Sequence, residues 1–131
     1  MTLLLVLTLF LCFLAGAFDG IAETLKWHPG LFLARIRSAG RQFWDPALSW
    51  KNKYKNGDPL QGEKFWQSSR ALVFLTDGYH LMRFLKNQAL FIALALPLLI
   101  TSFYLSVAVY CLSYFLYTAG FSLLYDKIFN S

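Results

Sequence analysis

The sequence predicts an all-α integral membrane protein with three or four transmembrane helices and a basic amphipathic helix at the membrane interface. Of its 131 residues, 57% are hydrophobic and 18% are aromatic. Charged residues make up 15%, against roughly 25% in soluble domains. A soluble domain of this size could not bury so much apolar surface, so we expect lipid to cover the remainder. We expect residues 1–131 to form a single membrane domain.

The first element is an apolar run over residues 2–18. Residues 15–17, Ala-Gly-Ala, resemble the small-residue cleavage site of a signal peptide, but no Lys or Arg precedes the run. We therefore interpret residues 1–27 as a first transmembrane helix. Asp19 and Glu23 then lie one turn apart near the end of this helix.

The second element is a basic segment, residues 28–62, that we expect to lie on the membrane surface. The stretch from 26 to 64 has eight Lys or Arg against three acidic residues. The four tryptophans, a residue type that favours the membrane interface, fall within or beside it: Trp27, Trp44, Trp50 and Trp66. The apolar positions from Leu31 to Phe43 have helical spacing, which predicts a basic amphipathic helix that ends before Pro46.

The distribution of Lys and Arg predicts the sidedness of the chain. The basic excess in residues 28–62 favours the cytoplasmic side, so the N-terminus would lie outside. Arg83 and Lys86 weigh against this orientation, because a second transmembrane helix over 63–86 would carry them to the outer side. The expected location is the bacterial cytoplasmic membrane.

Two further apolar stretches complete the predicted bundle. Residues 63–86 have a helical pattern with one polar face and one apolar face, which predicts the second transmembrane helix. Residues 88–126 form a long apolar segment, with no charge between 89 and 125. As one helix that uncharged stretch would be about 55 Å long, well beyond a hydrocarbon core of about 30 Å. We therefore expect one or two spans, broken near Pro97.

The candidate chemistry centres on Asp77 and His80, which share a face of the predicted second helix. Ionisable side chains are costly within the hydrocarbon, so their presence there indicates a role. With Glu23 they are candidate catalytic residues for acid–base chemistry. With Glu23 and His28 they are also suitable ligands for zinc or iron. The alternative is a structural hydrogen-bonded pair that joins two helices.

Three other groups are candidate binding or packing surfaces. Four arginines are candidates for binding a lipid phosphate: Arg35, Arg37, Arg41 and Arg70. Three tyrosines at helical spacing predict a buried polar seam: Tyr110, Tyr114 and Tyr117. Three serines form a small-residue face suited to a homo- or hetero-oligomer: Ser102, Ser106 and Ser113.

These features favour a membrane function. The basic residues alternate with Trp and Phe between membrane segments, so we expect anionic lipid headgroups rather than nucleic acid as the partner. There is neither a P-loop nor a Gly-x-Gly-x-x-Gly motif. The expected function is a non-catalytic lipid- or partner-binding membrane subunit with a buried polar seam. The alternative is a small membrane enzyme, with zinc or iron as a candidate metal, that acts on a lipid phosphate or acyl group.

Overall fold

The computed structural model describes residues 2–36 and 40–122, and of residues 2 and 120–122 the backbone alone. In these ranges the chain is helical and has no strand. The six α-helices described are α1 (Thr2–Trp27), α2 (Pro29–Leu33), α3 (Arg41–Trp44), α4 (Pro46–Ser49), α5 (Gly78–Ala95) and α6 (Phe103–Ser122). Short 3-10 segments cover Trp50–Lys53, Lys55–Gly57, Pro59–Gln61, Val73–Leu75 and Leu96–Ile100. The predicted all-α class is confirmed for this part of the chain.

Two helices are long and apolar enough to cross a membrane. They are Leu3–Trp27, of 25 residues, and Gly78–Ile100, of 23 residues, which includes the 3-10 turn after α5. At 1.5 Å per residue they measure about 37 Å and about 35 Å, which exceeds a core of about 30 Å. Only 6% and 22% of their most apolar windows are buried within the chain, whereas the core helix of a soluble protein is mostly buried. Phe103–Ala119 is a shorter apolar helix.

The helix predicted over 63–86 begins later, at Gly78, and continues to Ala95. Residues 63–77 instead form turns, with φ of 59° at Gln67. The Glu63 carboxylate accepts hydrogen bonds from the backbone N–H of Gln67, at 3.0 Å, and of Ser69, at 3.3 Å, and from the Ser69 hydroxyl. The physical reason for the difference is that this polar side chain binds the loop backbone, which stabilises a turn in place of helix.

The structure does not contain the single amphipathic helix that was predicted from Leu31 to Phe43. Helix α2 ends at Leu33, and α3 begins at Arg41 after Gly40, whose φ of 79° lies in the left-handed region. A left-handed residue interrupts a right-handed helix, and glycine adopts it without steric cost. The segment therefore contains two short helices, with residues 37–39 outside the described ranges.

The chain divides into two compact units. The first, Leu14–Asn87, contains the second half of α1, the short helices and the start of α5. Its core is built on Ala22, Leu25 and Met82. Aromatic and aliphatic side chains pack around these three: Phe18, Ile21, Phe32, Trp44, Tyr79, Leu81 and Leu85.

The second unit comprises α1 up to Phe13 together with the chain from Gln88 onward. Here α6 packs on the second half of α5 after the 3-10 turn that contains Pro97. The Ser106 hydroxyl donates to the Ala95 carbonyl at 2.8 Å. Phe91 on α5 contacts three α6 rings edge-on, with centroids 5.6–6.5 Å apart: Tyr110, Tyr114 and Tyr117.

Candidate functional site

Asp77 is the N-cap of α5. Its Oδ1 accepts the backbone N–H of His80 at 2.9 Å, which is the N3 position of the helix, and its carbonyl accepts the N–H of Leu81 at 3.1 Å. An aspartate in this position satisfies a backbone donor that would otherwise lack a partner. The side chain is 6% exposed, so the cap holds a carboxylate in a largely buried position at the start of a candidate span.

The same carboxylate fixes the His80 ring. Nδ1 of His80 lies 2.7 Å from Oδ1 and 2.8 Å from Oδ2 of Asp77. A carboxylate accepts hydrogen bonds, so Nδ1 carries the proton that is donated to Asp77. In the neutral ring Nε2 then has a lone pair, and in the protonated ring it has an N–H. No hydrogen bond to Nε2 is found among the described residues, and the side chain is 36% exposed.

A partly open pocket of about 240 Å³ lies beside this pair. Its other polar and aromatic lining residues come from four parts of the first unit: Lys26 at the end of α1, Ser49 at the end of α4, Trp50 and Lys53 in the next 3-10 segment, and Tyr79 on α5. Lys53 Nζ lies 3.8 Å from Asp77 Oδ2. The pocket therefore brings together lysines, a hydroxyl and an imidazole beside one carboxylate.

Two sets of hydrogen bonds hold Lys53 beside Asp77. Asn52 donates through Nδ2 to the carbonyl of Thr76, at 2.9 Å, and to that of Gln42, at 3.0 Å. The Lys53 carbonyl accepts from the Ser68 hydroxyl, at 2.6 Å, and from the backbone N–H of Lys64, at 2.9 Å. Since Ser68 is fully buried, these bonds fix the backbone from which the Lys53 side chain reaches the pocket.

Opposing effects act on the Asp77 carboxyl. Burial by itself raises the pKa of Asp77. The hydrogen bonds from the ring and the backbone of His80, with the charges of His80 and Lys53, outweigh burial and hold that pKa below its usual value. Asp77 is therefore a carboxylate at neutral pH.

The predicted four-ligand metal site is not assembled. Asp77 and His80 are in contact, but Glu23 accepts the Trp27 indole N–H at 2.9 Å, and His28 is the N-cap residue of α2. Within residues 2–36 and 40–122, no group of three or more His, Cys, Asp or Glu could hold a metal ion. Of the three candidate catalytic residues, only Asp77 and His80 line the pocket.

Of the arginines predicted to bind phosphate, the three within the described residues do not line this pocket. Arg35 and Arg70 are exposed, and Arg41 lies 3.8 Å from Asp45. Arg37 lies outside the described residues. Lys26 and Lys53 line the pocket instead.

The three tyrosines predicted to form a seam, and Ser106 of the predicted oligomer face, contact other residues of the second unit. The Tyr110 hydroxyl donates to Gln88, and the three tyrosines pack on Phe91. Ser106 is buried within the chain, and its hydroxyl donates to the Ala95 carbonyl of α5. Because the serine side chain is small, α6 can approach the carbonyl at the end of α5 closely.

Sequence analysis missed the pocket residues Lys26, Ser49 and Lys53. One local pattern could have located the start of α5: Asp77 followed by Gly78, just before the helical periodicity, is typical of an N-cap. No local pattern could have paired Lys53 with Asp77, because they are 24 residues apart and meet only through tertiary contacts.

Comparison of the chain with known protein families, with curated proteins and with solved structures finds no match. Function must therefore be inferred from the pocket and from the two long apolar helices that flank the basic segment.

Proposed function

We propose that the chain is an integral membrane protein whose basic segment binds anionic phospholipid headgroups without catalysis. The observation that carries this proposal is the position of residues 28–77 between two helices long enough to cross a bilayer, Leu3–Trp27 and Gly78–Ile100. A segment attached to a span at each end stays beside the membrane. Its basic residues would then lie within reach of the headgroups, where each contributes about 1 kcal/mol of attraction to anionic lipid.

The observed start of α5 supports a cytoplasmic position for this segment. Arg83 and Lys86 fall within the first nine residues of a helix that begins at Gly78, so they lie near the same end of the span as the basic segment. Lys86 pairs with Asp19 of α1 at 2.8 Å. Each of these two residues is eight positions from the end of its helix next to the segment, about 12 Å along the helix axis. Arg83 and Lys86 then favour the same side of the membrane as the basic segment.

Two exposed apolar side chains between the two candidate spans support contact with lipid. Leu60 is 95% exposed and Trp66 is 78% exposed. Exposed lysines accompany them at Lys55 and Lys64. A Trp beside basic residues is typical of a surface in the headgroup region, where the ring is apolar and the lysines attract anionic lipid.

Sidedness is tested by labelling Asn56→Cys in intact membranes, with Cys12 and Cys111 replaced by Ser. We expect a membrane-impermeant maleimide to react only after the cytoplasmic face is opened. Reaction from the outer face would overturn the proposed orientation.

Lipid binding is tested by native mass spectrometry of the detergent-solubilised chain with phosphatidylglycerol or phosphatidylcholine. We expect preferential retention of phosphatidylglycerol, and a reduced preference after Lys55→Gln with Lys64→Gln. Equal retention of the two lipids would reject the proposal.

The Asp77–His80 contact favours a second candidate, a small membrane enzyme that acts on a lipid phosphate or acyl group. A carboxylate that fixes the ring and leaves Nε2 without a protein partner in the described residues is the arrangement of a general base. The chain would then release phosphate from phosphatidic acid or fatty acid from a phospholipid. His80→Asn should abolish that turnover, and no turnover by the wild-type chain on either substrate class would exclude this candidate.

A further inference from the structure

The pocket beside His80 has more positive than negative lining groups. Lys26, Lys53 and His80 are the basic residues that line the pocket, whereas Asp77 is the single acidic residue among those that line it. Asp77 is occupied by the His80 ring and by the helix cap. A bound anion would therefore balance charge that this carboxylate leaves uncompensated.

Ser49 supplies a hydroxyl to the same pocket. It is 5% exposed, and no hydrogen bond of its hydroxyl is found among the described residues. Every completely buried side-chain nitrogen or oxygen in the described residues has a hydrogen-bond partner. The Ser49 hydroxyl must therefore be accessible, and since the residue lines the pocket, the pocket is where a ligand oxygen would meet it.

We infer that this pocket binds a phosphate group through Lys26, Lys53, the Ser49 hydroxyl and protonated His80. The inference rests on the proposed lipid-binding function and names the site. Phosphate oxygens accept from ammonium, hydroxyl and imidazolium donors alike. Trp50 and Tyr79 supply aromatic walls for the part of the ligand next to the phosphate.

The geometry makes binding depend on pH. Because Nδ1 donates to Asp77, neutral His80 presents a lone pair to a phosphate oxygen and repels it, whereas the protonated ring presents an N–H. The charged or titratable groups around His80 are Asp77 at its own helix cap, Lys53 from the 3-10 segment and Lys26 from α1, with the neighbouring Tyr79 ring at 5.2 Å. Phosphate affinity should therefore be higher when the His80 ring is protonated than when it is neutral.

The test is isothermal titration of the detergent-solubilised full chain with short-chain phosphatidylglycerol. Its diester carries one charge that does not titrate near neutrality, so any pH dependence belongs to the protein. We expect affinity to increase as the pH is lowered, because the protonated ring presents an N–H to the phosphate. His80→Asn retains an N–H for Asp77 but lacks Nε2, and it should abolish the pH dependence while the chain stays folded.

A matched pair of lysine variants locates the site. Lys53→Gln removes a pocket donor and should weaken binding about tenfold or more. Lys51→Gln removes an exposed lysine two residues away that does not line the pocket, and it should leave this affinity unchanged. Ser49→Ala should weaken binding less than Lys53→Gln, because it removes a neutral donor. Circular dichroism of each variant confirms that it is folded.

The ligand source is decided by titrating inorganic phosphate and diacylglycerol in parallel. Tight binding of phosphatidylglycerol with weak binding of phosphate indicates a lipid headgroup, and tight binding of phosphate alone indicates a free phosphate ligand; either result supports the site. Equal affinities of Lys53→Gln and Lys51→Gln, or affinity that does not change with pH, would overturn it. If the headgroup preference then still depends on Lys55 and Lys64, the proposed function survives and only the pocket assignment fails.

Discussion

Gly78 is the position at which a single methyl group should be most disruptive. A Cβ at residue 78 would lie 2.1 Å from Cε3 and 2.6 Å from Cζ3 of Trp44. Carbon atoms in contact need about 3.5–4.0 Å, so the ring would have to withdraw by about 1.5 Å. The ring cannot do so freely, because Phe32 and Phe43 pack on it with centroids at 5.2 and 5.3 Å.

The expected cost of Gly78→Ala follows from two opposing effects. Overpacking of a well-filled site costs about 1–3 kcal/mol. Replacing glycine also restricts the unfolded chain, which returns about 0.4–1 kcal/mol. We expect a net loss of about 1–2 kcal/mol in the free energy of unfolding. The matched control is Gly30→Ala, also in the first turn of a helix, where nothing lies within 4 Å of the added Cβ.

The assay is unfolding of the detergent-solubilised chain by sodium dodecyl sulfate, followed by far-ultraviolet circular dichroism. Gly30→Ala should be neutral or slightly stabilising, and Gly78→Ala should unfold at a lower mole fraction of the denaturant. In a Trp44→Ala background the clash is gone, so Gly78→Ala should cost nothing there. If the two glycine variants are equally stable, or if the cost persists without the Trp44 ring, the packing of Trp44 on the start of α5 is refuted.

Three further outcomes are expected in the same unfolding assay. The pKa of Asp77 lies below its ordinary value of 3.8, so the carboxylate contributes its full stability above that pH and loses it as pH falls toward the lower pKa of the folded state. Asp77→Asn, which keeps a helix cap, should flatten this acid-induced loss, and an unchanged acid profile would contradict it. Ser106→Ala should cost about 1–3 kcal/mol because the carbonyl at the end of α5 loses its buried donor. Ser113→Ala should be neutral, and equal effects of the two serine variants would reject that bond as the cause. Asp19→Asn and Lys86→Gln should show a coupling free energy on the order of 1 kcal/mol in a double-mutant cycle. Strictly additive effects would mean that this ion pair contributes nothing.

Local chemistry made part of the fold predictable. Apolar runs with helical periodicity predicted an all-α chain, and the first span predicted over 1–27 compares with α1 at Thr2–Trp27. Hydropathy is informative because the backbone of an apolar segment must satisfy its hydrogen bonds within the segment, and a helix does so without distant partners. The same local logic predicted contact between Asp77 and His80, since residues three apart share a helix face.

The site was only partly predictable, because its polar residues could bind several partners. The sequence pattern put Asp77 and His80 midway along a span, where a polar pair would face another helix. In the structure Asp77 binds the first turn of α5, and Glu63 binds the turns before it. A polar side chain near a loop can satisfy the backbone as well as a helix can, and periodicity does not distinguish the two outcomes.

The sequence by itself determined the helical class, the apolar helices long enough to cross a membrane and the basic, Trp-rich character of the segment between them. Only the tertiary structure decided where α5 begins, that the ring of Trp44 covers Gly78, and that Lys53 reaches Asp77. The physical reason is distance along the chain. Hydropathy and helix capping depend on residues within one or two turns. The pocket also needs contacts between distant residues, such as Lys53 and Asp77, which are 24 positions apart. Such contacts exist only once the loop has packed on the two helices.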